Sequence, residues 1–207
     1  VLPDRWVLES NTSVMGGAYE WLIGLLYGDG SATDRMDEID SGLTETSSQV
    51  TRSSVHLVPP IVDISNPGLQ FGGIGFPVPL ALGNPDRLDV IRAALHGFGF
   101  AIKANLARLD GSVSRSGSML AIGGGMTRTS FFTSTLATIL DEPLRVGSPD
   151  SSLVGAARMA AGTLGLDSES SAGQFTTVEP DESRTSDFSY LYDEWLDRSQ
   201  RLSDIPI

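Results

Sequence analysis

Residues 120–132 read LAIGGGMTRTSFF: a short apolar run breaks at three consecutive glycines, and a new apolar period begins at Phe131. The run ends a strand expected over 118–122. Phe131, Phe132, Leu136, Ile139 and Leu140 recur at helical spacing, which predicts a helix over 128–140 with the aromatic pair in its core-facing stripe. A strand over 144–146 and a helix over 151–164 continue the alternation. Strand, helix, strand, helix with short connections is the pattern of an α/β layer, a mixed sheet flanked by helices with at least partly parallel pairing. The last of these helices carries Gly155, Ala156, Ala157, Ala160, Ala161 and Gly162, small residues that would let it lie close on a sheet or a neighbouring helix.

The glycine triplet admits two readings. A glycine-rich turn leading from a strand into a helix N-terminus points backbone N–H groups at an anion. GGGMTRTS lacks the GK[ST] ending of a P-loop and the spacing of GxGxxG, and the sole lysine, Lys103, lies on a different helix. Side-chain-free backbone at successive positions instead permits close approach by something flat, such as a base and ribose, with Thr127 and Thr129 as short hydrogen-bonding neighbours. A tight structural turn accounts for the same residues equally well at this level.

Upstream, a strand is expected over 5–10. MGGAYEWLIGLLYGDG (15–30) puts Ala18, Trp21, Leu22, Leu25 and Leu26 on one stripe, with Gly16 and Gly17 before the first turn and Gly28 or Gly30 at the end. This predicts an amphipathic helix with Trp21 in the core. Residues 30–54 are rich in Ser, Thr and Asp and read as a surface excursion with one short helix over 36–43. Strands over 55–62 and 69–76 flank the turn signal Asn66-Pro67-Gly68, and Pro59 and Pro60 make the first of them an edge strand or a broken one. The clearest helix covers 86–110, where Leu88, Ile91, Leu95, Phe98, Ile102, Leu106 and Leu109 predict one dry face and one wet face. Near the end, Leu191, Trp195 and Leu202 predict a partly packed helix over 190–202.

Composition narrows the function classes. The 207 residues are 40% hydrophobic, enough to fill an ordinary core. A net charge of −12 with a single lysine argues against nucleic acid as a partner. Over half of that charge lies in 167–207, where ten acids face three arginines for a net of −7, read as a solvated acidic extension. No run approaches the roughly 20 apolar residues of a membrane helix, and the start, VLPDRWVLES, shows neither a basic nor an apolar leader region, so neither membrane nor secretion is expected. The opening valine, close to the first strand, reads as a cut from a longer chain. Zero cysteines fit a reducing compartment and set the expectation of a cytoplasmic protein. Two histidines and no cysteine make no zinc site. His56 and His96 read as structural, and Arg92 and Arg128 as solvated ion pairs instead of phosphate clamps.

GGGMTRTSFFTSTLATILDEPLRV, followed by SPDSSLVGAARMAAGTLG, resembles the C-terminal domain of the FGGY carbohydrate kinases, xylulokinase and glycerol kinase among them. In that family a GGG-x-x-x-N motif precedes a helix, a strand and a glycine-alanine helix. DRWVLESNTSVMGGAYEWL is similar to the strand-then-helix segment that opens the same domain, and LDVIRAALHGFGFAIKANL to its RAxxEG helix. The three stretches lie in order over nearly the whole chain. The resemblance implies an actin-like ATPase (ribonuclease H-like) domain over 1–207, with an acidic extension from about 167 and without the N-terminal sugar-binding domain.

Its implied function is the nucleotide-binding half of an ATP-dependent kinase that passes the γ-phosphate to a sugar or polyol hydroxyl, with Mg2+ accompanying the ATP. Gly124 and Gly125 would border the adenine, and Thr129 would stand where the family often has asparagine. Gly16 and Glu20 would face the same cleft. His96 replaces the glutamate of RAxxEG, and FPVPLALGNPDRLD shows no GERxP-like loop. The family's catalytic aspartate lies before the matched segment, and most sugar and phosphate contacts come from the N-terminal domain. No catalytic or metal-holding residue is therefore expected in this chain, which alone should be inactive. The implied partners are ATP or ADP, the N-terminal domain, the sugar or polyol, and a second copy through exposed apolar surface. The alternative is a non-catalytic actin-like interaction or regulatory module with weak nucleotide binding or none.

Overall fold

The computed structural model describes residues 15–28, 32–46, 55–58, 72–76, 85–111, 119–165 and 175–203. The strand expected over 5–10 and the turn at 66–68 lie outside them. The elements run α1 (Met15–Tyr27), α2 (Ala32–Thr46), β1 (His56–Val58), β2 (Gly73–Gly75), α3 (Arg87–Asp110) and β3 (Leu120–Ile122). A 3₁₀ turn (Gly125–Arg128), α4 (Ser130–Leu140), β4 (Leu144–Val146), α5 (Ser151–Thr163), β5 (Thr176–Val178) and α6 (Thr185–Ser203) follow. Two compact units share these elements: Val1–Leu22, Arg52–Ser118 and Tyr190–Ile207 form the first, and Ile23–Thr51 and Met119–Ser189 the second.

Helix α3 organises the first unit. Asp86 caps it through a reciprocal box, its carboxylate accepting from Asp89 N at 2.9 Å while the Asp89 carboxylate accepts from Asp86 N at 3.1 Å. The two-faced helix expected from the sequence is buried on every side from Ile91 to Ala101. Ala93, Ala94, Gly97 and Gly99 leave the polar stripe thin enough for neighbours to cover it. Arg92, expected in solvent, is 2% exposed and pairs with Asp89 at 2.9 Å, while His96 is packed, as expected. β1 pairs antiparallel with β2, His56 opposite Gly75. The Trp195 Nε1 of α6 donates to the Leu57 carbonyl at 3.2 Å, and Phe100 of α3 meets the rings of Tyr192 and Trp195 at 5.8 and 6.0 Å.

The second unit is built on a three-stranded sheet in the order β3-β4-β5, the first pair parallel and the second antiparallel. α4 buries Phe131, Phe132, Leu136 and Ile139 as its period predicts. It ends at Asp141, a left-handed residue at φ 57°. α2 is longer than the short helix expected, and it buries Ile39 and Leu43. β5 lies inside the acidic extension that was read as solvated; its three residues are too few to show a period, and only their pairing with β4 defines them.

Two helices depart from their expected packing. α1 buries Tyr19, Leu22 and Ile23, leaving Trp21 and Leu25 each 64% exposed. The stripe is turned because 19, 22, 23 and 26 repeat at helical spacing as well as 18, 21, 22 and 25 do. α5 buries none of its residues, and Leu153, Met159 and Leu164 are 72%, 62% and 74% exposed. Its two glycines meet no close neighbour among the described residues: a Cβ added at Gly155 or Gly162 would find nothing within 4 Å.

Candidate functional site

In the turn after β3 the three glycines stand in three different settings. A Cβ on Gly123 would lie 2.3 Å from Ser151 Oγ, so this position is kept bare by the chain's own α5. Gly124 sits at φ 101° and ψ 176°, a region essentially reserved for glycine, with nothing within 4 Å of an added Cβ. Gly125 has neither constraint. Its φ is not positive, and its added Cβ would also meet nothing within 4 Å.

Backbone and threonine bonds fix this turn to the end of β4. Gly147 N donates to the Ile122 carbonyl at 2.8 Å, and Gly124 N to the Ser148 carbonyl at 3.5 Å, extending the parallel pair past the strands. Thr127 Oγ1 donates to the Gly124 carbonyl at 2.8 Å and approaches the Gly147 carbonyl at 3.4 Å. The carboxyl ends of parallel strands, where turns lead into helices, are where α/β sheets receive ligands. Thr127 serves the turn itself. Thr129 is 2% exposed and makes no side-chain cap to α4. Arg128 stays in solvent, its guanidinium 3.8 Å from Asp150, a weak surface pair as expected.

The N-terminus of α4 is already occupied by an anion, and that anion belongs to the protein. Asp40 of α2 accepts from Ser130 N at 3.1 Å, Phe131 N at 2.9 Å and Ser130 Oγ at 2.5 Å. Two of the amides that would cradle a phosphate at this end are thereby satisfied, which counts against an anion at the start of α4. Nothing in the sequence announces Asp40, one acid among several in α2 and ninety residues from its partners.

Gly124, Gly125 and Thr129 come together in this one turn. Gly16 and Glu20 lie one helical turn apart on the exposed face of α1, and a Cβ at Gly16 would meet nothing within 4 Å. Among the described residues, no three His, Asp or Glu side chains are placed to hold a metal ion, and no helix is long and apolar enough to cross a membrane.

The fold has solved counterparts among kinases. A xylulose kinase from Rhodospirillum rubrum superposes with a TM-score of 0.66 at 20% identity, over 90% of this chain and 38% of that one. A gluconate kinase from Lactobacillus acidophilus gives 0.62 at 16% identity, over 91% and 38%. The glycerol kinase of Plasmodium falciparum, solved with ADP, gives 0.61 at 16% identity, over 93% and 38%. This chain therefore spans 38% of the length of each of these kinases. None of the curated proteins matches the sequence. The architecture is that of the actin-like ATPases, a mixed sheet flanked by helices. Residues 1–164 match the C-terminal domain of the FGGY family of carbohydrate kinases, and the chain belongs to that family.

Proposed function

We propose that this chain is the nucleotide-binding half of an ATP-dependent carbohydrate kinase, and that the turn after β3 receives the adenine and ribose. The carrying observation is the division within the triplet. Gly123 answers to Ser151 and Gly124 to its backbone angle, while Gly125 opens on empty space with an ordinary φ, a site where a ligand supplies the remaining reason for a missing side chain. Gly124 and Gly125 border the base, and Thr129 takes the place of the family's asparagine from within the turn. Gly16 and Glu20 are assigned to the same nucleotide on the family resemblance.

The nucleotide's γ-phosphoryl group is the one transferred, to a hydroxyl of a sugar or polyol. Mg2+ travels with the phosphates and is held with them chiefly by an N-terminal domain, which also carries the base that accepts the hydroxyl proton. The exposed apolar residues of α5 support a domain partner of this kind. The setting is the cytoplasm, and this chain alone does not turn over substrate.

ADP titration tests the proposal. One wall of a two-walled cleft holds nucleotide with a dissociation constant near millimolar, about −4 kcal/mol. ADP at ten times that constant then raises stability by about 1.4 kcal/mol and moves the amide resonances of Gly124 and Gly125. Glu20→Ala and Gly125→Val each remove the response. A melting curve and amide spectrum unmoved by saturating ADP would leave the non-catalytic interaction module as the reading.

A further inference from the structure

The chain has only two histidines, 40 residues apart in sequence, and both line one cavity. Val55, Leu57, Phe100, Leu191 and Trp195 complete most of its wall, and its volume of about 20 Å3 has room for a single water molecule. His56 stands on β1, His96 on α3, and α6 covers them. Arg198 of α6 places Nη1 2.7 Å from His56 Nδ1. A guanidinium can only donate, so this contact requires the neutral imidazole with its proton on Nε2.

We propose that α6 is a pH-sensitive latch in the first unit, held on β1 and α3 at neutral pH through Arg198 and His56 and released when the imidazole becomes charged. Protonation removes the acceptor that Arg198 uses and sets two cations against each other. Facing His56 are Arg198 and Glu194 from α6, with His96 of α3 in the same cavity, while its partner on β2 is Gly75. Glu194 Oε2 lies 3.5 Å from Arg198 Nη2, and Oε1 of the same carboxylate accepts from the Tyr190 hydroxyl at 3.1 Å, so Glu194 steadies the guanidinium in the docked position. Further ties of α6 include the Trp195 bond to Leu57, the ring contacts of Tyr192 and Trp195 with Phe100, Lys103 over the Tyr192 ring, and the contact of Leu202 with Gly73, where an added Cβ would stand 3.2 Å from Leu202 Cδ1.

Burial first, and Arg198 second, hold the His56 imidazole below its usual value of 6.5, with Glu194 pulling the other way. A base whose pKa is lower when docked binds fewer protons docked than released. Docking is therefore complete above pH 6.5 and weakens as the pH falls below it, by up to about tenfold in the opening constant per pH unit for one proton. This inference does not depend on the kinase reading.

Hydrogen exchange of the α6 amides, followed from pH 8 to about pH 5.5 as protection factors, tests the latch. Protection at 191–202 should fall below pH 6.5 while the amides of α4 keep theirs. In His56→Gln the side-chain carbonyl still accepts from Arg198 but does not titrate, and the fall should vanish. Arg198→Met should lower protection at every pH and flatten its pH dependence. A wild-type profile flat across the range overturns the latch, as does an unchanged fall in either variant. Parallel loss in α4 and α6 would mean global unfolding and overturn it as well.

Discussion

Gly125 is the residue where a ligand role and a folding role come apart most cleanly. Gly125→Ala should leave the melting temperature nearly unchanged while weakening ADP binding, because its Cβ enters open space at an ordinary backbone angle. Gly124→Ala should cost about 1–3 kcal/mol in a urea titration, since the strain is in the backbone. Gly123→Ala should cost a similar amount, about 1–3 kcal/mol, by overpacking against Ser151. The sequence marks all three as unusual, but it contains no trace of this difference, because the Ser151 contact and the φ of Gly124 arise only when β3 and β4 lie side by side. Trp21 shows the reverse: a large aromatic in a helical stripe reads as core, yet an equally good stripe one position along takes the buried side.

Among the elements, α3, α4 and β4 were readable because each follows one rule: a long apolar period, a glycine turn before a period, and Leu144 and Val146 alternating about Arg145 between turns. β5 was not, since three residues paired on a strand edge leave no period. α5 was readable as a helix and misjudged in its packing, because small residues permit close approach without requiring it. The link from α2 to α4 was equally hidden. Asp40→Ala removes an acceptor from two backbone amides and a hydroxyl, with an expected loss of about 1–2 kcal/mol in chemical denaturation. Asp40→Asn, which keeps one acceptor oxygen, should recover part of it. In α6, Trp195→Ala should cost about 3–5 kcal/mol, as a buried indole and its bond to Leu57 are lost together.

For the molecule as a whole, family membership was legible from three collinear stretches, while the exposed flank of α5 emerges only with the fold. Leu153→Ser combined with Met159→Ser should change the stability of this chain by no more than about 0.5 kcal/mol, since both residues already face solvent. Under the proposed function, in which an N-terminal domain covers this flank, the same pair should raise the dissociation constant between that domain and this chain expressed separately. Ser151 gives that flank a further significance. It is the first residue of α5, and its side chain fills the space beside Gly123 that a methyl would need. The helix that buries none of its own residues thus reaches the turn after β3 through one small side chain, and a bulkier residue at position 151 would crowd position 123.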